Sequence, residues 1–498
     1  MNRVLYTISI LICGTVHALA QSTYKMTTAI PPGITTPASV NTRIGTLEFF
    51  DGVPTEETAQ KAYDQLDYSR GIEAFLNGVP GASMYALKLG CKSIGAIDGT
   101  IAICSDLMDS RSLFLTANTE SIYYQTWIDL KNGPIVVESP PEVLGVVNDA
   151  WFRYVTDLGN AGPDKGKGGK YLILPPGYKG AVPAGYFVYK SPTYGNIVIG
   201  RGFMKNGSPK FASETIKKMM RVYPLSEAGK PHPEKFVESS GKEINTIHSN
   251  DFNFYRELNE VVQEEPEDSY GPDMMGIFNA IGIVKGKPFA PDERMKQILT
   301  DAVATGNAIA RSIDFRNRNP EAAIYLGKHW NTPFIGGSYE WLTKGGARNF
   351  DARTMFFYVA TVNTPAMAVA MPGVGSQYAS ANLDAAGAPF DGGKTYRLHV
   401  PAKVPVKDFW SVVLYDVQTR SMLQTDQQFP SLSSQSGPDV NADGSTDVYF
   451  SPVRPDNTKN WIQTIPNKSW FTIFRLYGPL QPWFDKSWEL PDIEEIRK

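Results

Sequence analysis

The sequence predicts an α+β fold, mainly β: two β-sandwich, jelly-roll-like domains joined by a helical region. Three observations predict it. Between 113 and 203, short β-like runs alternate with Gly, Pro and Asn turn signals. From about 212 to 362 the apolar spacing becomes helical. From 395 to 477 the strand-like runs return.

Taken in order, residues 1–20 read as a secretory leader. Arg3 supplies a positive start, 4–12 is an apolar run, and Ala18-Leu19-Ala20 is an A-x-A cleavage site. The run is far short of the ~20 apolar residues that span a bilayer. Ile12 before Cys13 argues against lipidation. The expectation is cleavage after Ala20 and a soluble periplasmic or secreted product without stable membrane insertion.

Residues 21–69 are expected to form a lead-in with one helix over 55–71, where Thr55 can cap and Glu56 and Glu57 favour the positive end. A β-rich domain follows over 70–205, with runs at 113–115, 122–130, 135–137, 171–174, 186–189 and 197–203. A helical linking region covers 206–365, with helices at 212–222, 252–263, 293–313 and 351–362. The last is apolar on most sides and is expected to be buried. A second β-rich domain covers 366–488, with runs at 395–400, 409–417, 447–450 and 470–477, and 489–498 is a tail. Asp443-Gly444 is a hairpin turn signal.

Composition excludes several functions. The formal net charge is −3 with both signs mixed, so no basic stripe for nucleic acid is present. Beyond the leader the histidines are His232, His248, His329 and His399. No two lie at metal-ligand spacing, and neither H-E-x-x-H nor G-x-S-x-G occurs. No metal and no cofactor are predicted. An oxidising compartment permits a disulfide between Cys91 and Cys104, with two buried thiols as the alternative.

The segment 162–170 looks like a phosphate loop but fails in detail: Asp164 stands where the first Gly belongs, and Tyr171 where Ser or Thr should hold magnesium. Its backbone N–H groups and lysines, Lys170 among them, could still cradle an anion; a solvated connection is the plainer reading. The segment 441–447 hints at a calcium loop, but Pro452 takes the place of the twelfth-position acid, and a hairpin explains it better.

Alternation along strands gives sharper candidates. Trp410, Val412, Leu414 and Asp416 share one face; Phe471, Ile473, Arg475 and Tyr477 share another. A charge in an apolar row needs a partner. Asp416–Arg475 and Asp416–Arg420 are the natural pairs, as core salt bridges or as a pocket floor for an anion. His399 reads as a surface residue. Further back, Asn118 and Glu120 point the same way if their segment is extended, and Arg153, Asp157, Tyr194 and Arg201 follow among aromatics. Such a set suits a small polar ligand, and Glu120 with Asp157 could act as an acid/base pair at a separation of roughly 5 to 10 Å.

Longer strings then carry a resemblance. Asn118-Thr-Glu120, Asn148-Asp-Ala-Trp151, the stretch from Gly162 to Tyr178 and Ser191-Pro-Thr-Tyr194 resemble the domain of unknown function 1254. Gly392-Gly-Lys-Thr-Tyr396, Phe409-Trp410, Tyr415-Asp416, Thr419-Arg420-Ser421, Gln424-Thr-Asp426, Trp461-Ile-Gln-Thr464 and Arg475-Leu-Tyr477 resemble its companion, the domain of unknown function 1214. Together they run from about 70 to 480. The resemblance implies β-sandwich domains with a helical section between, in bacterial and some large-virus proteins, and no settled reaction. Two functions stay open: an envelope enzyme or binding protein for a small polar or anionic compound, and a structural or assembly protein without catalysis. A homo-oligomer is compatible with either.

Overall fold

Most apolar side chains of the β-runs and helices beyond residue 65 are buried against each other in the computed structural model, which describes residues 26–233 and 235–496. The expected leader, 1–20, lies outside the described residues. The chain divides into two units at Gln65/Leu66. In the first, the lead-in is more ordered than expected: strands Ser39–Thr42, Gly45–Phe50 and Val53–Pro54 form a three-stranded meander. Thr55 Oγ1 accepts from the Thr58 N–H at 3.2 Å, the capping role its position suggested.

The helix that starts there was expected to end at 71 and instead runs over Glu56–Ser93 with Pro80 inside it. Gly78, Pro80, Gly81 and Gly90 look like breakers in the sequence. In the structure three of these serve close packing: a Cβ on Gly78 would stand 2.8 Å from Leu258, on Gly81 2.6 Å from Trp151, and on Gly90 2.6 Å from Thr246.

The second unit holds two pairs of sheets. The first pair joins a six-stranded sheet, ordered Phe236–Glu238, Ile101–Ile103, Ser121–Asp129, Gly195–Phe203, Val143–Asp149 and Tyr154–Gly159, to a four-stranded one, ordered Phe187–Lys190, Gly169–Leu174, Ile135–Ser139 and Arg221–Pro224. Ile122, Tyr124, Ile128, Val198, Val137, Tyr171 and Ile173 make the core between them. The second pair joins a five-stranded sheet, ordered Trp330–Asn331, Ser376–Ala381, Trp470–Pro479, Val406–Asp416 and Ser431–Ser433, to a four-stranded one, ordered Trp461–Gln463, Thr446–Ser451, Tyr396–Val400 and Glu494–Glu495. Val412, Leu414, Phe474 and Leu476 meet Leu398, Val448 and Phe450 there. The run at 113–115 is not a strand, making only a single bridge from Leu113 to Asn245.

The expected helices appear as Lys210–Met219, Asn253–Glu264, Glu293–Phe315 and Phe350–Val359. Asp292 caps the third by accepting from Met295 N–H at 2.8 Å. The fourth is buried from Ala352 to Val359. The last three of these helices and the outer faces of the six- and five-stranded sheets share one continuous core: Val146 and Ile199 from one sheet, Val413, Phe471 and Ile473 from the other, Phe356 and Phe357 from the fourth helix. Asn441 N–H does bond Ser445 O at 2.8 Å, but the turn leads into Thr446–Ser451 without joining it to the preceding long strand. Val406–Asp416 pairs with Trp470–Pro479 instead.

Among the described residues no helix is long and apolar enough to cross a membrane, and no group of three or more His, Cys, Asp or Glu is placed to hold a metal ion.

Candidate functional site

Where the two β structures face each other, they enclose a cavity of about 100 Å³ reachable by the centres of water molecules, several times what one water needs. Each wall comes from a different element. Val143–Asp149, Tyr154–Gly159 and Gly195–Phe203 contribute Leu144, Val146, Asp157, Ile199 and Arg201. Ser376–Ala381 and Trp470–Pro479 contribute Tyr378, Ile473 and Arg475. Phe356, Val359 and Thr364 close it from the helix and the segment after it, and Asn118 and Tyr123 from the turn before Ser121–Asp129 and the strand itself.

Four of the residues singled out in the sequence therefore meet: Asn118, Asp157, Arg201 and Arg475. Arg201 is 9% exposed and Arg475 3%. Arg201 Nη2 donates to Ser376 Oγ at 3.0 Å, and its guanidinium lies 5.4 Å from the Tyr477 ring. Arg475 Nη2 donates to Thr116 O at 2.5 Å, and its guanidinium lies 5.5 Å from the Tyr415 ring. Arg475 Nη1 is buried and has no hydrogen-bond partner among the described residues. Burial opposes both charges, but the surrounding tyrosine oxygens outweigh it and hold both guanidiniums above their usual range.

The acids beside them are weak counterions. Glu120 does not line the cavity. Burial raises its carboxyl, with Thr119 and Arg475 pulling the other way, and Thr119 Oγ1 donates to it at 2.6 Å. The segment 115–120 is turned rather than extended, with Thr116 at φ +44°. Asn118 Oδ1 accepts from Glu120 N–H at 3.0 Å while its Nδ2 donates to Tyr123 Oη at 3.0 Å, so the two side chains do not simply point together. Asp157 accepts from Thr364 Oγ1 at 2.6 Å. Burial, outweighing the hydrogen bonds from Thr364 and Tyr154, pushes its carboxyl up to about 6.

The other candidates lie elsewhere. The expected Asp416 pairs do not form. Ser411 is the register partner of Arg475 and Trp470 that of Asp416, and five steps along a strand place Ser411 and Asp416 on opposite faces. Asp416 instead pairs with Lys468. Arg420, fully buried at φ +60°, donates to Tyr358 O at 3.1 Å and to Gln418 O at 3.1 Å. Lys170 pairs with Glu138 at 2.9 Å. The anion cradle at 162–170 is closed on its own acid: Asp164 accepts from Gly168 N–H at 2.9 Å and from Tyr171 Oη at 2.6 Å. Tyr194 N–H donates to Glu265 at 2.6 Å, and Arg153 pairs with Asp149 at 2.7 Å. His399 is half-buried with Nδ1 2.8 Å from Asp447. Cys91 and Cys104 are free and buried, the two-thiol alternative to a disulfide.

Sequence reasoning missed Tyr378, Ser376 and Thr364. Ser376–Ala381 reads S-Q-Y-A-S-A, too poor in large apolar residues to announce a strand. Thr364 carried one signal: it precedes Pro365, a common helix start, and caps a short helix there.

The fold and the cavity define a class, a pair of β-sandwich structures with a cationic cavity between them. The family described as protein of unknown function (DUF1254) matches residues 99–224, and that described as protein of unknown function (DUF1214) matches 375–481; the chain carries both domains, in that order. It is similar to the crystal structure of the VPA0106 protein from Vibrio parahaemolyticus, with 17% identity, 86% of this chain and 100% of that chain covered, and a TM-score of 0.53. An uncharacterized protein from Burkholderia cenocepacia aligns at 12% identity, covering 87% of this chain and 95% of its own, with a TM-score of 0.37. No curated protein matches the chain.

Proposed function

We propose that this protein binds a small organic anion, a carboxylate on a compact apolar body, in the cavity between its two β structures. The observation that carries this is Arg475: an arginine only 3% exposed, lining the cavity, with Nη1 left without a partner among the described residues. A buried donor left without a partner costs about 1 to 3 kcal/mol, and a carboxylate would satisfy Arg475 and Arg201 together. Leu144, Val146, Ile199, Phe356 and Ile473 would hold the apolar remainder. Asp157, with its carboxyl near neutral pH, could then take or give a proton across the cavity. The leader at 1–20 supports placing this activity in the cell envelope.

Thermal-shift screening of the 21–498 chain against small carboxylic acids tests the reading. A ligand at a hundredfold excess over its Kd should add about 2.7 kcal/mol. The reading is lost if no acid moves the melting point, or if Arg475→Met responds to the acid as the wild type does.

A further inference from the structure

The end of the helix Glu293–Phe315 and the segment after it border two hollows that share no lining residue with the cavity. They measure about 380 and 260 Å³ to the centres of water molecules. Phe315, Arg316, Asn382 and Leu383 line both, so the two form one groove. The larger hollow continues past Arg318 to Lys328 and His329, the smaller past Arg311 to Ser469 and Trp470.

The groove carries charge of one sign. Arg311, Arg316, Arg318 and Lys328 line it, and among the described residues no Asp or Glu does. The countercharges around it are weak. Arg318 reaches Asp351 only at 3.7 Å and Lys328 reaches Glu489 at 3.4 Å, with Arg318, Asp351 and Glu489 exposed; such pairs contribute little in water. Arg311 acts on Asp314, but burial pushes that carboxyl up to about 7 against the pull of Arg420 and Arg311. Arg316 is exposed and forms no ion pair among the described residues. The negative end of Glu293–Phe315 offsets only about half a charge.

Where the two hollows meet, a buried polar group is unsatisfied. Asn382 is 8% exposed, and its Nδ2 donates to Asp314 O at 3.1 Å. That bond fixes the amide, since the reverse orientation would set oxygen against oxygen. Asn382 Oδ1 is buried with no hydrogen-bond partner among the described residues. Trp470, which lines the smaller hollow, has its buried Nε1 in the same state. Leaving such atoms unpaired is costly. An acceptor such as Asn382 Oδ1 calls for an O–H or N–H donor, which a bare oxyanion such as sulfate lacks.

We propose that this groove is a second binding site, distinct from the cavity, and that it takes an anionic sugar. The phosphate or carboxylate of the sugar would meet Arg316 and the cations beside it, and a sugar hydroxyl would donate to Asn382 Oδ1.

The test is calorimetric titration of the 21–498 chain with glucose-6-phosphate and with glucuronate, at constant ionic strength. The site predicts saturable binding of at least one, weakened about tenfold by Arg316→Ala, the loss of one charge-assisted hydrogen bond. Arg316 is exposed and outside any ion pair among the described residues, so the variant keeps its fold. Glucose alone should bind more weakly, and so should inorganic phosphate. Either one binding as tightly as the anionic sugar would overturn the proposal, because charge and hydroxyl would then not be read together. Sugar binding lost in Arg475→Met but kept in Arg316→Ala would overturn the groove and assign the sugar to the cavity. Absence of saturable binding to both anionic sugars would also overturn it, with the carboxylate reading of the cavity unaffected.

Discussion

Arg475 and Tyr378 are direct partners in the antiparallel ladder joining Trp470–Pro479 to Ser376–Ala381, and the guanidinium stands 5.9 Å from the tyrosine ring. Both side chains therefore leave the same face of the five-stranded sheet, the face turned toward the six-stranded sheet and its Arg201. This relationship sets a charge where apolar packing would otherwise close the gap.

Arg475→Met should keep the fold, because methionine fills the space without a charge that needs a partner. Ligand affinity should fall by roughly 30-fold or more, about 2 kcal/mol, the lower range for losing a buried charge contact. Circular dichroism checks the first expectation and titration with the carboxylate found by screening checks the second. A purely structural arginine would give the reverse: lost stability and unaltered binding.

Gly81 makes a sharper test of packing. In an isolated helix Gly→Ala raises stability by up to about 1 kcal/mol. Here the new Cβ would stand 2.6 Å from the Trp151 ring, and Trp151 is itself pinned by its Nε1 bond to Ser269 and its stack on Tyr270. Gly81→Ala should lower stability by about 1 to 3 kcal/mol, as overpacking does. Urea denaturation decides the sign.

These positions show what was legible in the sequence. Strands rich in Val, Ile and aromatics, such as Gly195–Phe203 and Trp470–Pro479, announced themselves, and so did the arginines inside them. Val143–Asp149 did not, because Gly145 and Asn148 resemble turn signals. Gly145 is in fact a contact point: a Cβ there would lie 2.7 Å from Tyr124 Oη. The long helix was cut short for the same reason, since glycine for close approach and glycine for a turn look alike in one sequence. Within the site, alternation could place Arg475 on a face but could not say which sheet lay opposite. Asp416 was matched to it for want of that third dimension. Asp157 and Thr364, 207 positions apart, meet only through the tertiary fold.

The thiols offer a chemical check. Burial pushes Cys91 and Cys104 up to about 12, so neither is a nucleophile at about pH 8. A thiol reagent should label neither in the native 21–498 chain and both in denaturant. Failure to label either in denaturant without reductant would reveal a bridge between them and overturn the buried-thiol arrangement.

Asp157 sets a pH dependence whose sign follows from its burial. Its carboxyl is near 6 in the folded protein against 3.8 as its ordinary value, so the folded state holds the proton more tightly. The favourable contribution is fully present below about pH 4 and is lost as pH rises through 6, up to about 3 kcal/mol at 1.36 kcal/mol per pH unit. The side-chain amide of an Asp157→Asn variant can still accept from Thr364 Oγ1 yet never ionises. The variant should therefore be the more stable protein at about pH 8, with its advantage shrinking steadily toward about pH 4. Stability measured at intervals across that range checks it, and an advantage that stays constant or grows on acidification would show that the Asp157 carboxyl is already ionised in the folded protein at low pH.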